Sequence, residues 1–126
     1  MANCLFEYAI IRFVPKVERE EFINVGVILF CKDQNYLGIK YALPSERIKA
    51  LAPQVDEAEI AKHLEAFAKI GAGQAEGGPI GELPTAERFR WLSATRSTMI
   101  QCSKVHPGLS IHPALTLEKL FAEMVV

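Results

Sequence analysis

Hydrophobic positions near the N-terminus fall into two runs separated by a short charged connection. Residues 5–14 and 25–31 are rich in β-branched and aromatic side chains, a composition that predicts two strands. Both faces of the first run are largely apolar, so we expect this strand to be covered on both sides. Pro15 ends it, and the charges over 16–21 predict a solvated loop or a short helical turn.

The segment after the second strand predicts a hairpin. Residues 32–35 contain the Asp and Asn side chains that turns favour. Side chains alternate along 36–43, which predicts a third strand antiparallel to the second. A short helix is expected to begin at Ser45 and to reach about Ala52, because Pro53 cannot continue it.

Helical periodicity dominates the middle of the chain. Asp56 and Glu59 have the spacing of a capping box, and the apolar residues behind them predict an amphipathic helix over 57–70 that stops at Gly71. Residues 71–81 hold five of the eight glycines but lack the lysine and hydroxyl of a phosphate-binding loop. They are predicted to form a mobile surface loop that binds nothing.

The C-terminal third has a mixed pattern. Residues 82–94 fit either a strand or a helix, and the helix is favoured. A short fourth strand is predicted over 98–103, a turn over 105–108 and an amphipathic helix after Pro113. The whole pattern predicts an α+β fold, with an antiparallel sheet of about four strands and helices packed against it.

Composition and charge narrow the class of protein. The 126 residues, half of them hydrophobic, predict one globular domain over 1–126. The formal net charge of −1 argues against a nucleic-acid-binding protein that relies on a bulk positive field. We find neither a signal peptide nor a run of about 20 apolar residues, so we expect a soluble cytoplasmic protein that does not enter a membrane. The three separated cysteines predict reduced thiols.

Arg12, Glu21 and Asn24 are polar residues within or beside the two apolar runs. An unpaired cation inside a covered strand is costly, so Arg12 is predicted to pair with a carboxylate, for which Glu21 is the first candidate. A ligand phosphate or carboxylate would serve equally well. In the structural alternative, the ion pair only stabilises the fold and Asn24 bonds local backbone.

A second group of polar residues follows the predicted helix over 82–94. Arg88, Arg90 and Arg96 precede Ser97 and Thr98, and Trp91 lies among them. Guanidinium groups beside two hydroxyls and an aromatic ring fit an anionic or planar ligand. A solvated helix face followed by a cap is the alternative.

His106 lies in the predicted Pro/Gly turn, where functional side chains are common. It is a candidate general base, and Cys102 precedes it by four positions. The alternative is an exposed histidine without a chemical role. His106 and His112 alone do not complete a zinc site, and we predict no metal or cofactor.

Four motifs together suggest a family. Residues 8–15, 21–30, 96–98 and 105–109 resemble those of the bacterial domain of unknown function 3037 family, over nearly the whole chain. The resemblance brings no established activity, but it places the polar candidates inside the family motifs. It also implies a partner, since relatives tend to be encoded near a kinase-fold protein similar to bacterial persistence toxins.

Three functions remain open for this protein. The first is a small cytoplasmic binding module that acts with another protein, such as the kinase-fold protein. The second is a small enzyme or ligand-binding protein for an anionic small molecule, with Arg12 and Arg96 as anion clamps and His106 as acid or base. The third is a nucleic-acid-associated protein, which the near-neutral charge disfavours. A homo-oligomer is compatible with all three.

The candidate functional site comprises residues from two distant segments: Arg12, Glu21, Asn24, Arg96, Ser97 and His106. If the fourth strand lies beside the first, these segments meet, and Arg12 falls within about 10 Å of Ser97 or His106, given a strand spacing of about 4.8 Å. The alternative is that the two segments stabilise opposite ends of the sheet.

Overall fold

Five strands and five helices make up the fold of the computed structural model, which describes residues 3–73, 77–94 and 99–126. The strands are β1 (Cys4–Phe13), β2 (Ile23–Cys31), β3 (Tyr36–Tyr41), β4 (Ile100–Cys102) and β5 (His106–Ser110). The helices are α1 (Ser45–Leu51), α2 (Glu57–Ala72), α3 (Gly78–Gly81), α4 (Thr85–Ser93) and α5 (Pro113–Met124), and a single 3-10 turn spans Val17–Arg19.

The sheet is organised around β1, and every strand pair is antiparallel. β2 lies on one side of β1 and carries β3 at its far edge. β4 and β5 share the other side, because the ten residues of β1 leave room for two short partners: β4 pairs with the C-terminal part of β1 and β5 with the N-terminal part. The predicted α+β fold with an antiparallel sheet is confirmed.

Each face of the sheet is covered by helices. Ala9, Ile11 and Phe13 of β1 pack in one core with residues of α1, α2 and α4. Phe6 and Ile10 pack on the opposite face with α5. Because side chains alternate along a strand, a central strand between two helical layers needs apolar residues at nearly every position. This explains the apolar character of both faces of β1.

A bulge interrupts the pairing of β1 with β2. Ile11 is opposite Gly26 and Arg12 is opposite Asn24, so Val25 has no partner residue on β1. At Gly26 a Cβ atom would lie 2.7 Å from the carbonyl oxygen of Lys40 in β3. The close approach of β2 and β3 therefore requires glycine there.

The ends of α2 correct one sequence prediction. The carboxylate of Asp56 accepts a hydrogen bond from the backbone nitrogen of Ala58 at 3.0 Å, as an N-cap should. The helix passes the predicted stop at Gly71 and ends at Ala72, with Gly73 in the left-handed conformation as its C-cap. Gly71 lies inside the helix and is buried against β3, where a Cβ would crowd the terminal methyl group of Ile39.

Within 71–81, the described residues 71–73 and 77–81 are more structured than a surface loop. They contain the end of α2 and the short helix α3, and both Gly71 and Gly81 are buried. Residues 74–76 lie outside the described part of the chain. The expectations that the segment is mobile and binds nothing stay predictions.

β5 replaces the turn predicted over 105–108. Residues His106–Ser110 form a strand that pairs with Cys4–Tyr8 of β1. The proline and glycine of this segment suggested a turn, but an edge strand accepts a proline because one side of its backbone has no ladder partner. In the described residues, no helix is both long and apolar enough to cross a membrane.

Candidate functional site

Arg12 does not pair with Glu21, and that prediction is wrong. The half-buried Arg12 side chain lies over the ring of Phe22, with its guanidinium carbon 4.0 Å from the ring centroid. Glu21 instead accepts a hydrogen bond from Nε of Arg19. The 3-10 turn has Glu20 as its C-cap, with a φ of 56°. This turn places Arg19 and Glu21 next to each other. Arg12 Nε is buried without a hydrogen-bond partner among the described residues.

The Arg19–Glu21 pair lies at the surface. The hydrogen bond from Arg19 lowers the pKa of Glu21 below its usual value, and the same bond raises the pKa of Arg19. Both groups therefore carry charge at neutral pH. Because both are exposed, this pair contributes little to stability.

Asn24 anchors the C-terminal end of α5. Its amide nitrogen donates to the carbonyl oxygen of Met124 at 3.0 Å, and Nη2 of Arg47 donates to the carbonyl oxygen of Val125 at 2.7 Å. The last carbonyls of a helix have no intrahelical donors, so these two side chains satisfy groups that need partners. Asn24 bonds backbone, as the structural alternative stated, but backbone that is distant in sequence.

Arg88 and Arg90 are bound within the protein and do not form one anion-binding group. Arg88 donates to the carbonyl oxygen of Leu83 at 2.7 Å and to the hydroxyl of Thr85 at 3.4 Å. Arg90 makes a two-point contact with the carboxylate of Glu7, at 2.8 and 2.9 Å. The hydrogen bonds that Arg90 donates to Glu7 raise the pKa of Arg90. Both arginines thus have structural partners.

Arg96 and Ser97 lie outside the described residues. Their predicted roles, in an anion clamp and in a site shared with Arg12, therefore stay predictions. Met99, the next described residue, accepts a hydrogen bond from the backbone nitrogen of Val14 at 2.7 Å.

His106 is exposed at the start of β5, opposite Tyr8 of β1. The two ring centroids are 5.3 Å apart. Cys102 is opposite Ile11, and its thiol donates to the buried carbonyl oxygen of Leu92 on the helix-rich face. Tyr8 and Ile11 point to opposite faces of β1, so Cys102 and His106 do not form a nucleophile–base pair.

The two polar segments adjoin along β1. Arg12 is opposite Asn24 on β2 and opposite Gln101 on β4. His106 lies four positions further along, opposite Tyr8, which is about 13 Å at the rise of a strand. The structure therefore brings Arg12 and Asn24 together and places His106 apart from them.

A cleft at the C-terminal end of β1, which the sequence analysis missed, has a volume of about 680 Å³. We call it the β1–α1 cleft, and its described lining is Phe13, Pro15, Lys16, Arg19, Glu21, residues 50–55 and Met99. Three segments that are distant in sequence form the cleft, so no local sequence motif predicts it. Glu21 is the one predicted site residue among these lining residues.

A second feature lies at the opposite end of β1, on the side of α4. Leu5 of β1 and Leu109 of β5 are direct partners and are 58% and 67% exposed. We call this pair, with the adjacent exposed Pro107, the β5 face. The helices pack chiefly on β2, β3 and β4, which leaves these side chains uncovered. Among the described residues, no group of three His, Cys, Asp or Glu side chains could hold a metal ion.

Comparison with known proteins places the chain in a family. Neither the curated proteins nor the solved structures contain a match. A family model described as "Protein of unknown function (DUF3037)" matches residues 8–125, which confirms the resemblance drawn from the motifs. The chain therefore belongs to the DUF3037 family.

Proposed function

We propose that the protein is a binding module that docks another protein on the β5 face. The observation that carries the proposal is the exposed Leu5–Leu109 pair at the edge of the sheet. Two adjacent leucines held on a rigid sheet and left more than half exposed lose contact with water only when a partner covers them.

The charges around the β5 face indicate the chemistry of the partner. The only carboxylate on this part of β1, Glu7, is already bound by Arg90. Lys104 is exposed in the connection before β5, and residues 88–117 contain no acidic residue. An apolar side chain flanked by carboxylates would therefore match the β5 face in both hydrophobicity and charge.

The contacts made by the candidate polar residues support a binding function rather than a catalytic one. Asn24, Arg88 and Arg90 bind groups of the protein itself, and Cys102 and His106 lie on opposite faces of the sheet. The family resemblance makes a kinase-fold protein the first partner to examine.

Site-specific photocrosslinking tests the proposal without assuming the identity of the partner. A photoreactive amino acid is placed at position 109 or 5 of the full chain in cells, and at position 115 as the control. Leu115 lies on α5 and is 66% exposed, so it matches Leu109 in residue type and exposure.

We expect positions 109 and 5 to yield the same crosslinked protein, with an acidic surface segment at the crosslink, and position 115 not to yield it. Products containing two copies of this chain would replace the proposal with a homo-oligomer. Equal yields at 109 and 115, or no product at 109, would contradict a docking function of the β5 face.

A further inference from the structure

We propose that the β1–α1 cleft binds a small amphipathic acid. Its anionic group would lie on Lys16 and Arg19, and its apolar body against Val55 and Met99. The cleft is at the C-terminal end of β1, whereas the β5 face is at the N-terminal end, so this inference is independent of the proposed docking function.

The size and rigidity of the cleft fit a small-molecule site. Its volume of about 680 Å³ lies within the range of about 300–1,000 Å³ found for ligand pockets. Pro15 and Pro53 contribute walls whose backbone φ is fixed, and the fully buried Phe13 lies at the end of β1. A preformed site loses little conformational entropy when a ligand binds.

The charged residues of the cleft select an anion. Lys16, Arg19 and Glu21 are the charged residues of its described lining, and their sum is one positive charge. No described residue binds the ammonium group of Lys16. Arg19 uses only Nε in its bond to Glu21, so its two terminal nitrogens remain available as donors. Both cations are exposed, which lets an anion reach them without breaking the fold.

The rest of the lining selects an apolar body. Leu51, Val55 and Met99 are only half-buried, and Ala50 and Ala52 add two methyl groups to the lining. Such a surface beside two cations is complementary to a molecule with an acidic head and a hydrocarbon chain or ring. The head could be a carboxylate or a phosphate monoester, which share the chemistry that Lys16 and Arg19 recognise.

The test uses four probes with the same ten-carbon chain, at concentrations below micelle formation. Decanoate and decyl phosphate carry the two anionic heads, and decanol and decyltrimethylammonium are the neutral and cationic controls. Amide chemical shifts of the full chain locate binding, and calorimetry gives the affinity. We expect the anionic probes alone to shift amides within residues 13–21, 50–55 and 99, and the tighter of the two to identify the head group.

Two variants change the charge of the cleft in opposite directions, and a third is the control. We expect Lys16→Ala to weaken binding of the tighter anionic probe about 2- to 5-fold, the range for an exposed charge contact. Glu21→Gln removes the competing carboxylate and should strengthen binding, which general damage to the fold would not do. Lys32→Ala, an exposed lysine in the β2–β3 turn, is the control and should leave binding unchanged.

Equal binding of decanol and of the anionic probes would overturn the proposal. So would shifts confined to other parts of the chain, Lys16→Ala with wild-type affinity, or weaker binding by Glu21→Gln. The melting temperature of each variant is recorded beside the affinity, because both residues are on the surface and their substitution should leave it unchanged.

Discussion

At the scale of single residues, the contacts of Arg12 and Glu21 depend on local backbone geometry more than on charge. Arg12 and Glu21 have opposite charges near one strand, yet Glu21 binds Arg19, two positions away on the 3-10 turn. Arg12 instead stacks on the ring of Phe22, and its Nε has no acceptor among the described residues. The sequence could show that Arg12 needs a compensating contact, but the choice of contact depends on how the connection folds.

This account of Arg12 predicts that the packing of a long side chain on Phe22 matters more than the charge of Arg12. Arg12→Met keeps a long side chain on Phe22 and removes the unpaired Nε, so we expect a free energy of unfolding within about 0.5 kcal/mol of wild type. Arg12→Ala also removes the stem and should cost about 1–2 kcal/mol. Urea unfolding measures both. A loss for Arg12→Met as large as that for Arg12→Ala would contradict this account, because the guanidinium itself would then supply the stabilisation.

At the scale of elements, alternation and helical spacing predicted most of the fold, and long-range pairing decided the rest. The β2–β3 hairpin, α2 and α4 formed where the local pattern indicated them. β5 did not, because a segment with proline and glycine becomes a strand only when β1 offers it an unpaired edge. The anchoring of α5 by Asn24 was equally hidden, since it joins residues 100 positions apart.

The anchor of α5 gives a prediction at this scale. Asn24→Ala and Arg47→Ala each remove one hydrogen bond to the last carbonyls of α5 and should each cost about 1 kcal/mol of stability. Because both act on one helix end, the double variant should lose less than the sum of the two. Amide exchange in the last turn of α5 should accelerate in all three variants. Strict additivity with no change in exchange would contradict the anchor.

At the scale of the whole molecule, both candidate binding surfaces arise from tertiary structure. The β1–α1 cleft joins three segments far apart in sequence, and the β5 face joins the first and last strands. Composition and motifs predicted the fold class and the family but could not reveal surfaces that form only when the sheet assembles. Of the residues that the motifs highlighted, Asn24 and Gly26 have structural roles in the described part of the fold.

The rate at which a reagent modifies each cysteine tests how tightly the two cores are packed. Cys31 and Cys102 are buried in opposite cores, whereas Cys4 is only half-buried. We expect a thiol reagent to modify Cys4 first and the other two only at the rate of unfolding, as mass spectrometry of the native protein would show. Rapid modification of Cys31 or Cys102 would contradict the packing of the core that contains it.

The buried thiol of Cys31 also predicts a pH dependence. Burial raises the pKa of Cys31, so the folded state holds this proton more tightly than the unfolded chain does. Stability from this group is complete below the unfolded thiol pKa of about 8.5 and is lost as the pH rises toward the folded pKa. In urea unfolding, Cys31→Ala should reduce the decline in stability over this alkaline range; an unchanged decline would contradict the prediction.

The most direct test of the docking function is a binding measurement. The partner protein crosslinked at position 109 is purified, and calorimetry gives its affinity for the wild-type chain and for two variants. Leu109→Asp places a carboxylate on the β5 face, and Leu115→Asp places the same group on the exposed surface of α5. We expect Leu109→Asp to weaken binding ten-fold or more, because an apolar anchor is lost and the acidic partner is repelled, while Leu115→Asp binds as wild type does. Equal affinities of wild type and Leu109→Asp, with both proteins folded, would contradict the assignment of the β5 face as the docking surface.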